Sequence, residues 1–97
     1  QEYGAAQVVG TQTCGKGNFQ VTLPLSDGSA VALSVGKYFT PQGRSLTDVG
    51  VTPDAEVDLS SDEDYMALYY GTLDQAGDTQ LQAALTLLQS QTLALAG

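Results

Sequence analysis

Histidine and tryptophan are absent from this 97-residue chain, and only one cysteine is present. Without histidine the chain has no histidine-based catalytic triad, and a single cysteine forms neither an intrachain disulfide nor a Cys/His zinc set. Basic residues are also scarce, since three of them stand against eleven acidic residues and give a formal net charge of -8. So acidic a chain is a poor partner for phosphate backbones and anionic membranes. The composition therefore argues against nucleic acid and direct membrane contact.

Long apolar stretches are missing as well. None approaches the ~20 residues that a membrane-spanning helix needs. The start at Gln1 has no basic segment followed by an apolar run. We therefore expect neither a signal peptide nor a membrane anchor in these residues. A mass of 10.1 kDa fits one small domain or a piece of a larger protein.

Alternation of apolar and polar residues predicts a β-hairpin. Apolar side chains occupy every second position from Phe19 to Leu25 and again from Val31 to Val35, which is typical of strands with one apolar face. The turn-forming run 26–29 separates them. A short strand is also expected at 7–11. The Gly- and Pro-rich stretch 40–53 is expected to form an ordered loop or a brief strand at 49–51.

A first helix is predicted after this loop. The candidates to cap it are Ser60, Ser61 and Asp62. Gly71 is expected to end it. The acidic run 62–64 is interpreted as a solvated helix start rather than a metal site. The helix tyrosines are interpreted as a face that covers the sheet; they are Tyr65, Tyr69 and Tyr70.

A second helix is predicted after Asp78, because apolar residues from Leu81 to Leu95 recur at helical spacing, with Gly97 beyond the end. No internal repeat or linker-like tract interrupts the chain. The predicted fold class is therefore mixed α/β, with a hairpin and short strands followed by two helices in one structural unit.

The run from Thr13 to Gln20 isolates Lys16 between two glycines and places Gln20 four residues on. A lysine with a pKa near ~10.4 is charged at neutral pH, but burial favours the neutral amine, which can take a proton from a serine hydroxyl. Gln20 would orient that amine through its amide oxygen. The alternative is a turn with a solvated lysine. Spacing alone favours this alternative, because residues four apart on a strand lie roughly 13 Å apart.

Three other residues invite a functional interpretation. Ser29 is assigned to the hairpin turn and not to a nucleophile, because Asp, Gly and Ser are favoured there for backbone reasons. Arg44 either binds a substrate carboxylate or fastens its own loop, and the second role is favoured. Cys14 is either a small buried apolar side chain, which is favoured, or one half of a thiol–amine pair with Lys16.

Ordered segments of the chain closely resemble successive motifs of the C-terminal processing peptidases, the tail-specific serine proteases. These segments are 10–20, 24–30, 37–46 and 50–54, and 78–85 is similar to the closing helix of that family. Cys14 departs from the aromatic residue that usually precedes the Gly-Lys-Gly step. Four blocks in order are far more specific than any one of them.

The resemblance implies a Ser/Lys mechanism on an α/β core similar to the crotonase and Clp protease folds. Lys16 matches the general-base lysine of the family and Gln20 the supporting glutamine. The serine nucleophile, the oxyanion-hole donors and any PDZ domain are expected upstream of Gln1. Residues 1–97 are therefore expected to be the C-terminal portion of a catalytic domain, inactive as an isolated chain.

The same resemblance implies a polypeptide substrate cleaved near its C-terminus, no metal or organic cofactor, and an extracytoplasmic location in the periplasm, the cell envelope or the secreted fraction. The alternative is a non-catalytic assembly or peptide-binding module derived from a peptidase fold. Retention of both Lys16 and Gln20 speaks against it. An exposed sheet edge is expected to promote self-association.

Overall fold

The computed structural model describes residues 1–96. Four strands and two helices follow one another along the chain: β1 (Val9–Gly10), β2 (Asn18–Pro24), β3 (Ala30–Lys37), β4 (Ala55–Glu56), α1 (Asp62–Tyr69) and α2 (Thr79–Ala96). The predicted mixture of small sheets followed by two helices is confirmed.

The contacts divide the chain into two compact units, where the sequence predicts one. The hairpin unit comprises 1–6 and 12–52, and the helical unit comprises 7–11 and the chain from Pro53 onward. All three basic residues lie before position 53 and eight acidic residues lie after it, but no change of composition marks the crossings on either side of 7–11. For this reason the sequence pattern missed the division.

The predicted hairpin is confirmed in the hairpin unit. Strands β2 and β3 pair antiparallel, from Asn18 opposite Lys37 to Pro24 opposite Ala30. In the turn, the Gly28 N–H donates to the Leu25 carbonyl at 3.2 Å, and Gly28 has a φ of 87° that suits glycine. The hairpin is therefore closed by the Asp-Gly connection that the sequence indicates.

A β-bulge in β3 shifts the pairing of the hairpin by one residue between Phe19 and Gln20. Phe19 pairs with Gly36 and Gln20 with Ser34, so Val35 has no partner in the ladder. The Phe19 ring lies directly over Gly36, where an added Cβ would overlap the ring. The bulge places Phe19 over a residue without a side chain and leaves Gln20 beside a hydroxyl.

Strands β1 and β4 form a two-residue parallel pair in the helical unit, with Val9 opposite Ala55 and Gly10 opposite Glu56. The expected strand at 7–11 is thus present but shorter. No strand forms at 49–51, so the first of the two expectations, an ordered loop, is confirmed. Gly50 there has a φ of 74°, outside the range of strand backbone.

Helix α1 begins and ends at signals that the sequence carries. Among the three candidates Ser61 is the cap, and its Oγ accepts a hydrogen bond from the Asp64 N–H at 3.2 Å. At the other end Gly71, with a φ of 69°, donates to Leu68, and Thr72 donates to Ala67. This pair of bonds is the Schellman arrangement, in which a left-handed glycine ends a helix.

The predicted second helix, α2, begins after Asp78, whose Oδ1 accepts from the Leu81 N–H at 2.8 Å and so caps the helix. The predicted stop at Gly97 lies outside the described residues. Leu59, at 6% exposure, is the one buried apolar side chain among the residues that the structure describes. Over the same residues, no helix has the length and apolar character required to cross a membrane.

Candidate functional site

Lys16 is the central residue of a tight turn in the hairpin unit. The Gly17 N–H donates to the Gly15 carbonyl at 2.9 Å, which closes a three-residue γ-turn. The Gly15 carbonyl also accepts from the Asp48 N–H at 2.9 Å, and the Gly17 carbonyl accepts from the Tyr38 N–H at 2.7 Å. The backbone on both sides of Lys16 is therefore held by hydrogen bonds to distant parts of the chain.

The two glycines permit a close approach of the 46–49 turn. A Cβ added to Gly17 would lie 2.8 Å from the Leu46 carbonyl carbon, and one added to Gly15 would lie 2.9 Å from the Asp48 carbonyl carbon. Gly15 also has a φ of 78°, and Asp48 has a left-handed φ of 61°. The two glycines therefore allow a sharp turn and close backbone contact around Lys16.

Lys16 and Gln20 line the same surface pocket, which has a volume of about 300 Å³. Its other lining residues are Asn18, Phe19 and Tyr38. The aromatic rings of Phe19 and Tyr38 contact each other with centroids 5.4 Å apart. The lining of the pocket therefore combines two aromatic rings with an amine and two amides.

Lys16 and Gln20 share this pocket without a hydrogen bond between them. The Lys16 side chain is exposed, and among the described residues it forms no ion pair, the one salt bridge being that of Arg44. Gln20 instead donates from Nε2 to the Ser34 Oγ at 3.3 Å. This bond leaves the amide oxygen of Gln20 unused, which is the atom expected to orient the amine.

Arg44 holds its loop, as predicted, but through a carboxylate rather than main-chain carbonyls. Its Nε lies 2.9 Å from Glu2 Oε1, and the Gln42 N–H donates to Glu2 Oε2 at 2.9 Å. Desolvation raises the pKa of Glu2, but the hydrogen bonds from Thr40, Gln42 and Arg44 outweigh it and lower the pKa below its usual value. Glu2 therefore fastens the start of the chain to the loop that contains Arg44.

Ser29 is confirmed as a turn residue. Its N–H and its hydroxyl both donate to Asp27 Oδ1, at 2.9 and 2.5 Å. Both bonds lower the pKa of Asp27, and the bond from the hydroxyl has the larger effect. A hydroxyl committed to a neighbouring carboxylate in a hairpin turn has the role that turn chemistry predicts.

Two interpretations of side-chain packing are wrong. Cys14, expected to be a small buried side chain, is exposed, and the neighbouring side chains of Gln12 and Thr13 are the ones that bind the loop 46–51. The helix tyrosines do not form one covering face, since Tyr69 and Tyr70 are 81% and 68% exposed. Tyr65 instead donates a short hydrogen bond to Asp58. That bond raises the pKa of the Tyr65 hydroxyl.

The acidic run 62–64 lies in the first turn of α1, as expected of a solvated helix start. Among the described residues, no group of three or more metal-ligating side chains is close enough to hold an ion.

Sequence reasoning missed the two hydroxyl residues that bind the pocket amides. Thr47 donates from Oγ1 to Asn18 Oδ1 at 3.1 Å, and Ser34 accepts from Gln20. The first pair is separated by 29 residues along the chain. The hairpin register carries a signal for Ser34, because this polar residue pairs directly with Gln20 across the two strands. No local pattern indicates Thr47.

Comparison with known proteins gives consistent matches. The family model "Peptidase family S41" matches residues 1–57. A carboxyl-terminal-processing protease of Picosynechococcus sp. is 37% identical over 95 residues, which cover 97% of this chain and 22% of that protein. The corresponding protease of Synechocystis sp. is 36% identical over 88 residues, covering 91% of this chain and 19% of that protein.

A chloroplastic carboxyl-terminal-processing peptidase of Arabidopsis thaliana is 44% identical over 59 residues, covering 61% of this chain and 12% of that protein. The solved structure of a photosystem II D1 C-terminal processing protease matches with a TM-score of 0.51 and 35% identity, over 77% of this chain and 19% of that one. The chain thus spans about a fifth or less of the length of the relatives it matches.

Proposed function

Since this chain belongs to peptidase family S41, we propose that it supplies the general base of a serine endopeptidase that cleaves polypeptides near their C-terminus. Lys16 is the base and Gln20 orients it. The observation that carries the proposal is the surface pocket that Lys16 and Gln20 both line, with Lys16 at the centre of a γ-turn, within the part of the chain that the family model matches. The chain is then the C-terminal part of a crotonase/Clp-like catalytic domain, and the nucleophilic serine belongs to an upstream segment.

In this mechanism the neutral Lys16 amine accepts the proton of the serine hydroxyl as the serine oxygen attacks the substrate carbonyl. The resulting ammonium then gives that proton to the leaving amide nitrogen. The amine is exposed in the chain described here, whereas base catalysis needs it neutral. The proposal therefore requires the nucleophile-bearing segment or the bound substrate to cover Lys16, because burial favours the neutral amine.

The remaining parts of the proposal follow from the family. The substrate is a polypeptide with apolar residues at its C-terminus, the reaction needs no metal or organic cofactor, and the protein acts in an extracytoplasmic compartment. Curated relatives include enzymes named as chloroplastic. The isolated chain is proposed to be inactive.

Reconstitution tests this function. The chain is mixed with an upstream segment that carries the expected serine, and cleavage of an unstructured peptide is assayed with the wild type, Lys16→Ala, Lys37→Ala and Ser29→Ala. Lys37 is the matched control, because it is the other lysine of the chain and does not line the pocket. We expect cleavage that needs both the upstream segment and Lys16 and that survives Lys37→Ala and Ser29→Ala.

Two outcomes would contradict the proposal. Cleavage by the isolated chain that persists in Lys16→Ala would show a different mechanism. Assembly of the two segments without any cleavage would favour the alternative of a non-catalytic peptide-binding module.

We also propose that the isolated chain self-associates. The hairpin is a two-stranded sheet, and its apolar face is open, with Leu23, Leu33 and Val35 exposed by 47%, 44% and 52%. Free strand edges next to exposed apolar surface favour pairing with another copy. Sedimentation velocity at increasing concentration is expected to show dimers or larger species, and a monomer throughout would refute this.

A further inference from the structure

Two side-chain amides line the pocket together with Lys16, and one is hydrogen-bonded through its oxygen whereas the other is hydrogen-bonded through its nitrogen. Asn18 accepts at Oδ1 from the Thr47 hydroxyl at 3.1 Å, whereas Gln20 donates from Nε2 to the Ser34 hydroxyl at 3.3 Å. An amide held by its oxygen has its two N–H donors free, and an amide held by its nitrogen has its oxygen free. The pocket therefore offers one donor end, at Asn18, and one acceptor end, at Gln20.

The orientation of Asn18 is the better constrained of the two. Asn18 and Thr47 are both half-buried, whereas Gln20 and Ser34 are exposed. The backbone next to Thr47 is pinned by the bond from the Asp48 N–H to the Gly15 carbonyl, at 2.9 Å. The backbone beside Thr47 is therefore held by one of the contacts that shape the Lys16 turn.

We infer that Asn18 is a further substrate-binding residue, whose Nδ2 donates a hydrogen bond to a main-chain carbonyl of a polypeptide bound beside Lys16. Thr47 is its positioning residue. The inference rests on the proposed function, because it takes the ligand of the pocket to be a polypeptide. Main-chain carbonyls are the acceptors that every polypeptide carries, and among the described residues Asn18 Nδ2 has no hydrogen-bond partner competing for it.

Asn18 is the only asparagine of the chain, so its side chain can be observed alone. Labelling with ¹⁵N-asparagine gives a single side-chain NH₂ pair in the NMR spectrum of the full 97-residue chain. We expect this pair to shift when an unstructured peptide with apolar C-terminal residues is added. The shift should persist in Thr47→Ser, which keeps the hydroxyl, and should be reduced in Thr47→Val, which lacks it.

Kinetics of the reconstituted peptidase separate this role from a structural one. Asn18→Leu has a similar size and no charge and removes both donors, without placing a carboxylate in the pocket of the amine that must be neutral. We expect KM to rise about five- to tenfold with kcat nearly unchanged, which is the effect of one lost hydrogen bond made equally in the ground and transition states. Thr47→Val should also raise KM. Thr47→Ser, which keeps the hydroxyl, should leave KM near its wild-type value.

The outcomes distinguish the two proposals. Lys16-dependent cleavage with an unchanged KM in Asn18→Leu would overturn the role of Asn18 and leave the proposed function intact. If no cleavage depends on Lys16, the proposed function fails, and the NH₂ shift of Asn18 still decides whether this side chain binds peptide. An NH₂ pair that does not respond to peptide would overturn the inference.

Discussion

The hairpin unit and the helical unit differ in charge. The hairpin unit carries all three basic residues of the chain and only three acidic ones, Glu2, Asp27 and Asp48. The helical unit carries the other eight acidic residues and no basic residue. The net charge of -8 thus belongs to the helical unit alone. The candidate catalytic lysine lies in a unit that is formally neutral, which the composition of the whole chain conceals.

The two units also differ in how they are held together. In the hairpin unit, distant backbone segments meet at Gly15 and Gly17, where there is no room for a side chain. The helical unit has local caps at Ser61 and Asp78 and a buried Leu59. Steric fit over long range therefore shapes the surroundings of Lys16, and local signals shape the helices. Substitutions placed in one unit at a time separate these two sources of stability.

The largest effect is expected for Leu59→Ala in the helical unit. Loss of the one buried apolar side chain among the described residues should lower the free energy of unfolding by about 3 kcal/mol. Urea unfolding followed by NMR resonances of each unit measures it. Leu95→Ala is the control, since Leu95 is 90% exposed and its loss should cost under about 0.5 kcal/mol. Equal effects of the two changes would contradict the burial argument.

Gly17→Ala should lower the stability of the hairpin unit by about 2 kcal/mol, because the added methyl group would overlap the backbone at Leu46 and Thr47. Gly43→Ala is the matched comparison, since that glycine has open space around it and a φ of 81°. Its cost should be about 1 kcal/mol, from backbone conformation alone. The same urea experiment checks the order, and a larger effect at Gly43 would refute the close contact at Gly17.

Ser61→Ala removes the side chain that caps α1, and we expect a loss of about 1 kcal/mol confined to the helical unit. Amide hydrogen exchange of α1 measures this change. Ser60→Ala is the matched control, because Ser60 is exposed and does not cap the helix. A loss of the same size in Ser60→Ala would show that the cap is assigned to the wrong serine.

The smallest effect, and the one that separates the units by sign, is expected on acidification. The pKa of Glu2 is below its usual value, so its contribution to the hairpin unit is present above the unfolded pKa and is lost as the pH falls through the folded pKa. The hairpin unit should therefore become less stable as the pH is lowered from 7 to below the range in which carboxylates ordinarily titrate. The helical unit should lose like-charge repulsion over the same range.

Protection factors of amides in each unit, measured across this pH range, test the divergence. Glu2→Gln should reduce the acid sensitivity of the hairpin unit, leaving the part due to Asp27, whose pKa is also lowered, without changing that of the helical unit. A parallel response of both units in the wild type would show that their charge difference has no energetic consequence.

Much of the fold follows from local pattern. The hairpin, the cap of α1, the glycine that ends it and the cap of α2 all depend on residues within a few positions of one another, and each was predictable. The parallel pairing of β1 with β4 was not, because the paired residues are separated by more than 40 positions and each strand is only two residues long. Neither strand is long enough to carry a periodic signal.

For the site, the sequence by itself determined the family, the isolated lysine between two glycines and the glutamine four residues on. Tertiary structure alone decided that the 46–49 turn fills the space beside Gly15 and Gly17, that Glu2 holds Arg44, and that Thr47 orients Asn18. Each of these contacts joins residues about 30 or more positions apart. The physical reason is that a glycine or a hydroxyl shows what it can accommodate or donate, but only the folded chain decides which partner lies within reach.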